Sequence, residues 1–186
     1  MSARLTAAGR PTYAVPVTTL ETPRLRLTPV TSDDVPFFAE LWQDPEVMAH
    51  LGGVRDPERI VPLVAEAVEQ WRTHGLGRWV VRLAAQSIGT IKLAHVMRGR
   101  SEIEIGYALL PGHEGRGYAT EACECVLNFA LQDRSFPSVV ALARDGNDSS
   151  LAVLDRLGFV REGSFEHPLG PHMLFRVTRP RWLDRT

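Results

Sequence analysis

Apolar positions recur along this chain with two periods, two residues and about three and a half. Arg24-Leu25-Arg26-Leu27-Thr28 alternates polar with apolar, which predicts a strand with one face buried. Thr31, Ser32, Asp33 and Asp34 then supply a helix start, and Pro36 is tolerated because it falls in or near the first turn. Phe37, Phe38, Leu41 and Trp42 give that helix a buried face. A second helix opens on Asp56 as N-cap, Pro57 and Glu58, carries Ile60, Leu63, Val64, Ala67, Val68 and Trp71 at helical spacing, and closes at Gly75 and Gly77. Two strand-like runs, Trp79 to Ala84 and Ile88 to Val96, are joined by a short polar turn through Gln86 and Ser87, the pattern of a hairpin. Arg98-Gly99-Arg100 turns the chain into a further strand, Glu102 to Leu110. A helix follows from about Gly117 to Leu131, with Ala119, Ala122, Val126 and Ala130 on one stripe. Ser138 to Ala143 reads as a strand, Asn147 to Leu157 as a short helix stopped by Gly158, and Phe159–Val160 and His172 to Thr178 as closing strands.

The order β-α-α-β-β-β-α-β-α-β-β predicts an α/β (α+β) fold, one mixed sheet with helices packed on it. Residues 1–20 mix Thr, Ala and Pro without a period and read as a loosely ordered arm, leaving 21–186 as one domain. At 186 residues the chain is long enough to bury a single good core, and 44% hydrophobic with 23% charged residues is a globular composition.

A formal charge of −1 speaks against nucleic-acid binding through an overall basic field. No apolar run approaches the roughly 20 residues of a membrane span, and the N-terminus lacks the apolar core of a secretion signal. Cys123 and Cys125, two apart on a helix, point to different faces and cannot bridge each other, so they read as filler in a protein of a reducing, cytoplasmic compartment.

The chemistry concentrates in LLPGHEGRGYATEA, Leu109 to Ala122. An apolar run ends in a proline, two glycines flank an arginine, and a helix begins. The first four N–H groups of a helix lack partners within it, and its dipole leaves that end partly positive. A turn bare of side chains there is a cradle for an anion, most often a phosphate. A P-loop would end in Gly-Lys-Ser/Thr, whereas Gly117 is followed by Tyr118. A dinucleotide fingerprint would need a third glycine and different neighbouring strands.

With that stretch, Thr22-Pro23-Arg24-Leu25-Arg26-Leu27, Glu104-Ile105-Gly106-Tyr107 and the run Asn147 to Phe159 complete four pieces, each on its expected element. Together they resemble the GNAT N-acetyltransferases, and more narrowly the branch containing the ribosomal-protein N-terminal acetyltransferases, over about Thr22 to Trp182. The resemblance implies a GNAT fold, a single mostly antiparallel twisted sheet with helices on both faces and a splay between its fourth and fifth strands. It implies acetyl-CoA as co-substrate, no metal, and an amine acceptor that is a protein N-terminus or a small molecule such as an antibiotic, a polyamine or an amino acid. A monomer or homodimer is expected. A second reading is an acyl-CoA sensor without turnover.

In the family a loop reading Gln or Arg, two residues, Gly, one residue, then Gly or Ala holds the pyrophosphate. That frame falls on Glu114, Gly117 and Ala119, and Glu114 departs from it. A carboxylate there repels a pyrophosphate unless it points into solvent. By resemblance Gly115, Arg116, Gly117, Tyr118, Ala119 and Thr120 bind the coenzyme, Tyr118 by packing and Arg116 by a charged contact. The Glu104 to Leu110 strand is expected to be bulged, with a backbone N–H between Tyr107 and Leu110 meeting the thioester oxygen and Leu109 beside the coenzyme. Asn147 either bonds the pantetheine amides or caps its own helix.

Amine attack on a thioester needs an uncharged amine, donors for the developing oxyanion and a proton for the leaving thiolate. Glu104 is the candidate base, with Glu166 or His167 as rivals; Glu102 shares its face by alternation unless a bulge intervenes. Ser150 is the candidate proton donor, with a hydrogen bond to its own helix turn as its bland role. His113 reads as an exposed loop residue. The glycine-rich Met48 to Arg55 segment is a candidate gate of the acceptor cleft, and its lack of an acidic run disfavours a highly cationic acceptor such as an aminoglycoside.

Overall fold

The structure, a computed structural model, describes residues 17–96, 102–167 and 170–185, the side chains of Phe165 and His167 excepted. The arm expected over 1–20 lies outside the described residues up to position 16. Its last residues are fastened to the sheet: Leu20–Glu21 forms a short strand, β1, and Trp79 Nε1 donates to the Thr18 carbonyl at 2.8 Å.

The chain continues through β2 (Leu25–Pro29), α1 (Val35–Gln43), α2 (Pro45–Met48), α3 (Pro57–His74), β3 (Arg78–Leu83), β4 (Gln86–His95) and β5 (Ile103–Leu109). Then follow α4 (Tyr118–Asn128), β6 (Ser138–Ala143), α5 (Asp148–Arg156), β7 (Val160–His167), β8 (Gly170–Thr178) and α6 (Arg179–Leu183). One eight-stranded sheet has the order β1-β2-β3-β4-β5-β6-β8-β7. Every pairing is antiparallel except β5 with β6, which is parallel.

Both rhythms of the sequence have their physical cause here. Alternation sends Leu25, Leu27, Trp79, Ile91, Leu93 and Ile105 to one face, all buried, and α4 packs over β2, β4 and β5. Trp79 stands edge-on to Trp71 at 4.5 Å and to Phe129 at 5.8 Å, locking the end of α3 and the turn after α4 onto the sheet. Asp56 caps α3 by accepting from the Glu58 amide. The same Asp-Pro-Glu signature at Asp44 caps the short α2, where no apolar period follows to announce a helix. β7 also exceeds the Phe159–Val160 expectation: it is the edge strand, and its register shifts between Arg161 and Gly163, so no strict alternation marks it.

The expected splay lies between β5 and β6, the fourth and fifth strands if the two-residue β1 is not counted. The pair Glu104–Val140 is their only register contact. The bulge expected in the Glu104–Leu110 strand is absent: β5 pairs β4 without a register shift from Ile103 to Leu109. Alternation therefore holds, and Glu102 and Glu104 share a face.

Candidate active site

β5 ends at Leu109, and the chain turns through Pro111 into a loop with Gly112, Gly115 and Gly117 at φ +82°, +70° and +79°. An L-residue in that conformation costs about 1–2 kcal/mol, so the loop requires glycine. Gly117 is the N-cap of α4 and brings no side chain to satisfy the first turn. The backbone N–H groups of Gly115 to Thr120 donate to no acceptor among the described residues. Six such donors at the start of an eleven-residue helix form an electropositive concavity suited to a diphosphate.

A polar knot ties this loop to β2. Glu121, on the first turn of α4, accepts from Thr22 Oγ1 at 2.5 Å, Arg24 N at 3.1 Å and Arg24 Nε at 2.6 Å. Arg24 Nη1 donates to the Arg116 carbonyl at 3.0 Å, and its guanidinium lies 4.7 Å from the centre of the Tyr118 ring. Burial would raise the Glu121 carboxyl, but the hydrogen bonds from Thr22 and Arg24 outweigh it and hold the group below the ordinary glutamate value.

Glu114 is exposed, borders the cleft at the loop, and folds back so that one carboxylate oxygen accepts from the Gly112 amide at 2.9 Å. Arg116 is exposed beside the cradle. His113 corrects its expectation as an exposed residue: it is half-buried, its ring lies 6.4 Å from that of Tyr118, and its Nδ1 is enclosed with no partner among the described residues.

From the loop a cleft of about 610 Å³ runs through the β5–β6 gap to the opposite side of the sheet. Leu109, Tyr118, Ala119 and Thr120 line it at the loop, and Asn147 and Ser150 line it from α5. Asn147 takes the capping role: its Oδ1 accepts from Ser150 N at 3.2 Å and Ser149 Oγ at 3.1 Å. Ser150 does not bond back into its own helix turn. Its Oγ lies 3.0 Å from the Tyr107 hydroxyl, whose pKa burial raises, so that phenol keeps its proton at every physiological pH.

On the far side Glu104 borders the cleft, its carboxylate 2.8 Å from Lys92 Nζ. Glu102 turns instead to Arg176, which also binds Glu162 at 2.8 Å. Glu166 is exposed on β7 and does not line the cleft, and the His167 side chain lies outside the described residues. His50, Leu51 and Arg55 form the wall from the Met48–Arg55 segment, with Trp42 contributed by α1, and the segment closes on itself as Arg55 Nη2 binds the Leu51 carbonyl at 2.9 Å.

Arg78, Lys92 and Trp42 were not legible as site residues. The first two occupy polar strand positions, and alternation alone does not tell solvent from a cleft wall. Both cysteines are free, Cys123 buried and Cys125 half-buried, and burial raises both thiols, that of Cys125 to about 11. No three metal-binding side chains converge among the described residues, nor is any helix long and apolar enough to cross a membrane.

The family model of the acetyltransferase (GNAT) domain matches residues 24–160. The uncharacterized protein YkkB of Bacillus subtilis (strain 168) is 28% identical over 145 residues, 76% of this chain and 84% of its own. An acetyltransferase from Agrobacterium tumefaciens str. C58 superposes with a TM-score of 0.75 at 27% identity, over 91% of this chain and 99% of its own. Mycobacterium smegmatis RimJ, solved in complex with CoA-disulfide, shares the fold at a TM-score of 0.71 and 21% identity, over 91% of this chain and 93% of its own.

Proposed function

This chain belongs to the GNAT acetyltransferase family, and we propose that it moves the acetyl group of acetyl-CoA onto a primary amine by direct attack on the thioester. The observation that carries this reading is the through-going cleft, with an anion cradle at one end and a carboxylate at the other. The N–H groups of Gly115 to Thr120 hold the pyrophosphate, and Arg116 adds its charge at the rim. The pantetheine lies in the β5–β6 gap beside Leu109, where β5 has no partner on β6 beyond Glu104. Because the Asn147 carbonyl is committed to its cap, its amide N–H₂ is what it offers a pantetheine carbonyl.

Glu104 takes the proton of the ammonium or of a bridging water, and Lys92 holds the carboxylate in place. The neutral amine attacks the carbonyl carbon, and a backbone N–H of Tyr107 to Leu109 receives the developing oxyanion, that of Leu110 being given to the Ile88 carbonyl at 2.8 Å. As the C–S bond breaks, Ser150, held by its hydrogen bond to the Tyr107 hydroxyl, gives its proton to the thiolate sulfur; solvent water returns one to the serine and takes the one held by Glu104. Neither cysteine has a part, since both thiols are held protonated. As part of the same proposal, the enzyme works in the cytoplasm, without nucleic acid or membrane as partner.

Acetyl-CoA mixed with a panel of amines, with released CoA thiol followed over time, tests the proposal. Acceptor-dependent release is expected. Saturable coenzyme binding with no acceptor-stimulated release would overturn it in favour of a sensor.

A further inference from the structure

We infer that the acceptor is an amine bearing a carboxylate, an amino-acid-like small molecule whose anionic group binds Arg78 with Arg55 beside it. The inference rests on the acetyltransferase reading above and names the acceptor class of the same cleft.

On the acceptor side of the sheet the strand cations are neutralised one after another. Lys92 pairs with Glu104 at 2.8 Å, Arg82 with Asp34 at 2.6 Å, and Arg176 with Glu162 and Glu102. Arg78 is the exception: among the described residues no carboxylate lies within ion-pair distance of it. Its guanidinium makes one long hydrogen bond, Nη1 to Thr90 Oγ1 at 3.4 Å, and is otherwise packed near the rings of Trp42 and Phe38, at 5.5 and 6.0 Å. Burial lowers its pKa to about 10, Glu104 opposes that from a distance, and the like charge of Arg55 adds to it; Arg78 stays cationic at neutral pH.

Arg55 does not relieve it, since its own hydrogen bonds go to the neutral carbonyls of Leu51, Gly52 and Gly53. Glu46 and Glu66 border the cleft and the adjoining cavity of about 180 Å³, yet neither forms an ion pair with Arg55 or Arg78. Two guanidinium groups thus line one cleft, and among the described residues neither is in an ion pair. A half-buried cation left so is costly unless a ligand supplies the charge, and a planar fork matches a carboxylate with two parallel hydrogen bonds.

Register sets the scale. Arg78 lies opposite Lys92, and Lys92 opposite Gly106 on β5, so Arg78 starts two strand spacings from the thioester line, about 10 Å at the backbone. Arg78 and Glu104 line the same cleft, and the Glu104 charge is felt at the Arg78 guanidinium. An amine at Glu104 and a carboxylate at Arg78 therefore belong to one small molecule.

The test compares free amino acids and ω-amino acids with their carboxamides and with the corresponding decarboxylated amines, following CoA thiol release. The best acids are expected to exceed their own amides at least 10-fold in kcat/KM. Arg78→Gln should raise KM for those acids about 10- to 100-fold and abolish the preference, leave KM for acetyl-CoA within about 2-fold, and be partly rescued by Arg78→Lys. Calorimetry on the unsubstituted protein with CoA present, comparing acid with amide, reads the same preference without a variant. Equal turnover of acids and neutral amines, or a preference that survives Arg78→Gln, overturns the carboxylate assignment alone. If no amine releases thiol, the acetyltransferase reading falls and takes this inference with it.

Discussion

The knot of Thr22, Arg24 and Glu121 gives the sharpest quantitative expectation. Replacing Glu121 with Gln keeps its size and removes the charge that gathers three donors. Hydrogen bonds to a charged acceptor contribute about 1.5–3 kcal/mol each. Arg24 is 46% exposed, so its ion pair is screened and falls toward the roughly 1 kcal/mol ceiling of surface pairs. The substitution should destabilise the fold by about 2 kcal/mol in total, most of it from the Thr22 and backbone donors around a carboxylate only 15% exposed. The same loss frees Arg24 from Arg116 and Tyr118, so the coenzyme must order the loop itself. A coupling of about 1 kcal/mol would weaken CoA binding roughly 5-fold with kcat unchanged.

The pH dependence follows from the depressed carboxyl. Its stabilisation is fully present above the ordinary value of 4.5 and is lost as pH falls from there through the lower folded-state value. The stability gap between the native protein and Glu121→Gln, from urea titrations, should accordingly be wide at pH 7 and narrow below pH 4. Arg26→Ala is the control, because Arg26 pairs only loosely with Glu21, at 3.6 Å, with both side chains exposed. Unchanged CoA affinity in a folded Glu121→Gln protein, or a stability gap that does not narrow in acid, would refute the role of the knot in holding the loop.

Three further outcomes are expected. Glu104→Gln should lower kcat about 10²–10³-fold while calorimetric CoA affinity stays within 2-fold. Gly117→Ala forces an L-residue to φ +79° with its Cβ 3.4 Å from Arg24 Nη2, and should cost about 1–2 kcal/mol, seen as a Tm lower by about 3–6 °C, with weakened CoA binding. Cys125, its thiol pushed up to about 11, and the buried Cys123 should react with a thiol reagent at pH 8 far more slowly than free cysteine does, so that a thiol-release assay reads CoA.

What the chain announced and what it concealed divide by range. The cradle was readable because three left-handed turns within six residues permit glycine and little else. The α3 start was readable because an Asp-Pro-Glu cap acts within one turn. The Arg24–Glu121 tie, 97 positions apart, leaves no local trace. Arg78 and Lys92 hid in plain alternation, since a polar residue on a strand face has the same pattern whether it meets water or a cleft. The regular β5 shows the converse: the family resemblance implied a bulge, and unbroken pairing from Ile103 to Leu109 accounts for Glu102 and Glu104 sharing a face while serving different cations. Asn147 could have served either of two roles on sequence grounds, and the distance to the Ser150 amide assigns its carbonyl to the cap.

A sheet joined at a single residue pair behaves as two leaves on a pivot, and Glu104 stands at that pivot, opposite Val140. For any movement of one leaf against the other, displacement grows with distance from the fulcrum and is smallest at the carboxylate. The proposed proton acceptor thus sits where such a movement would disturb its alignment least.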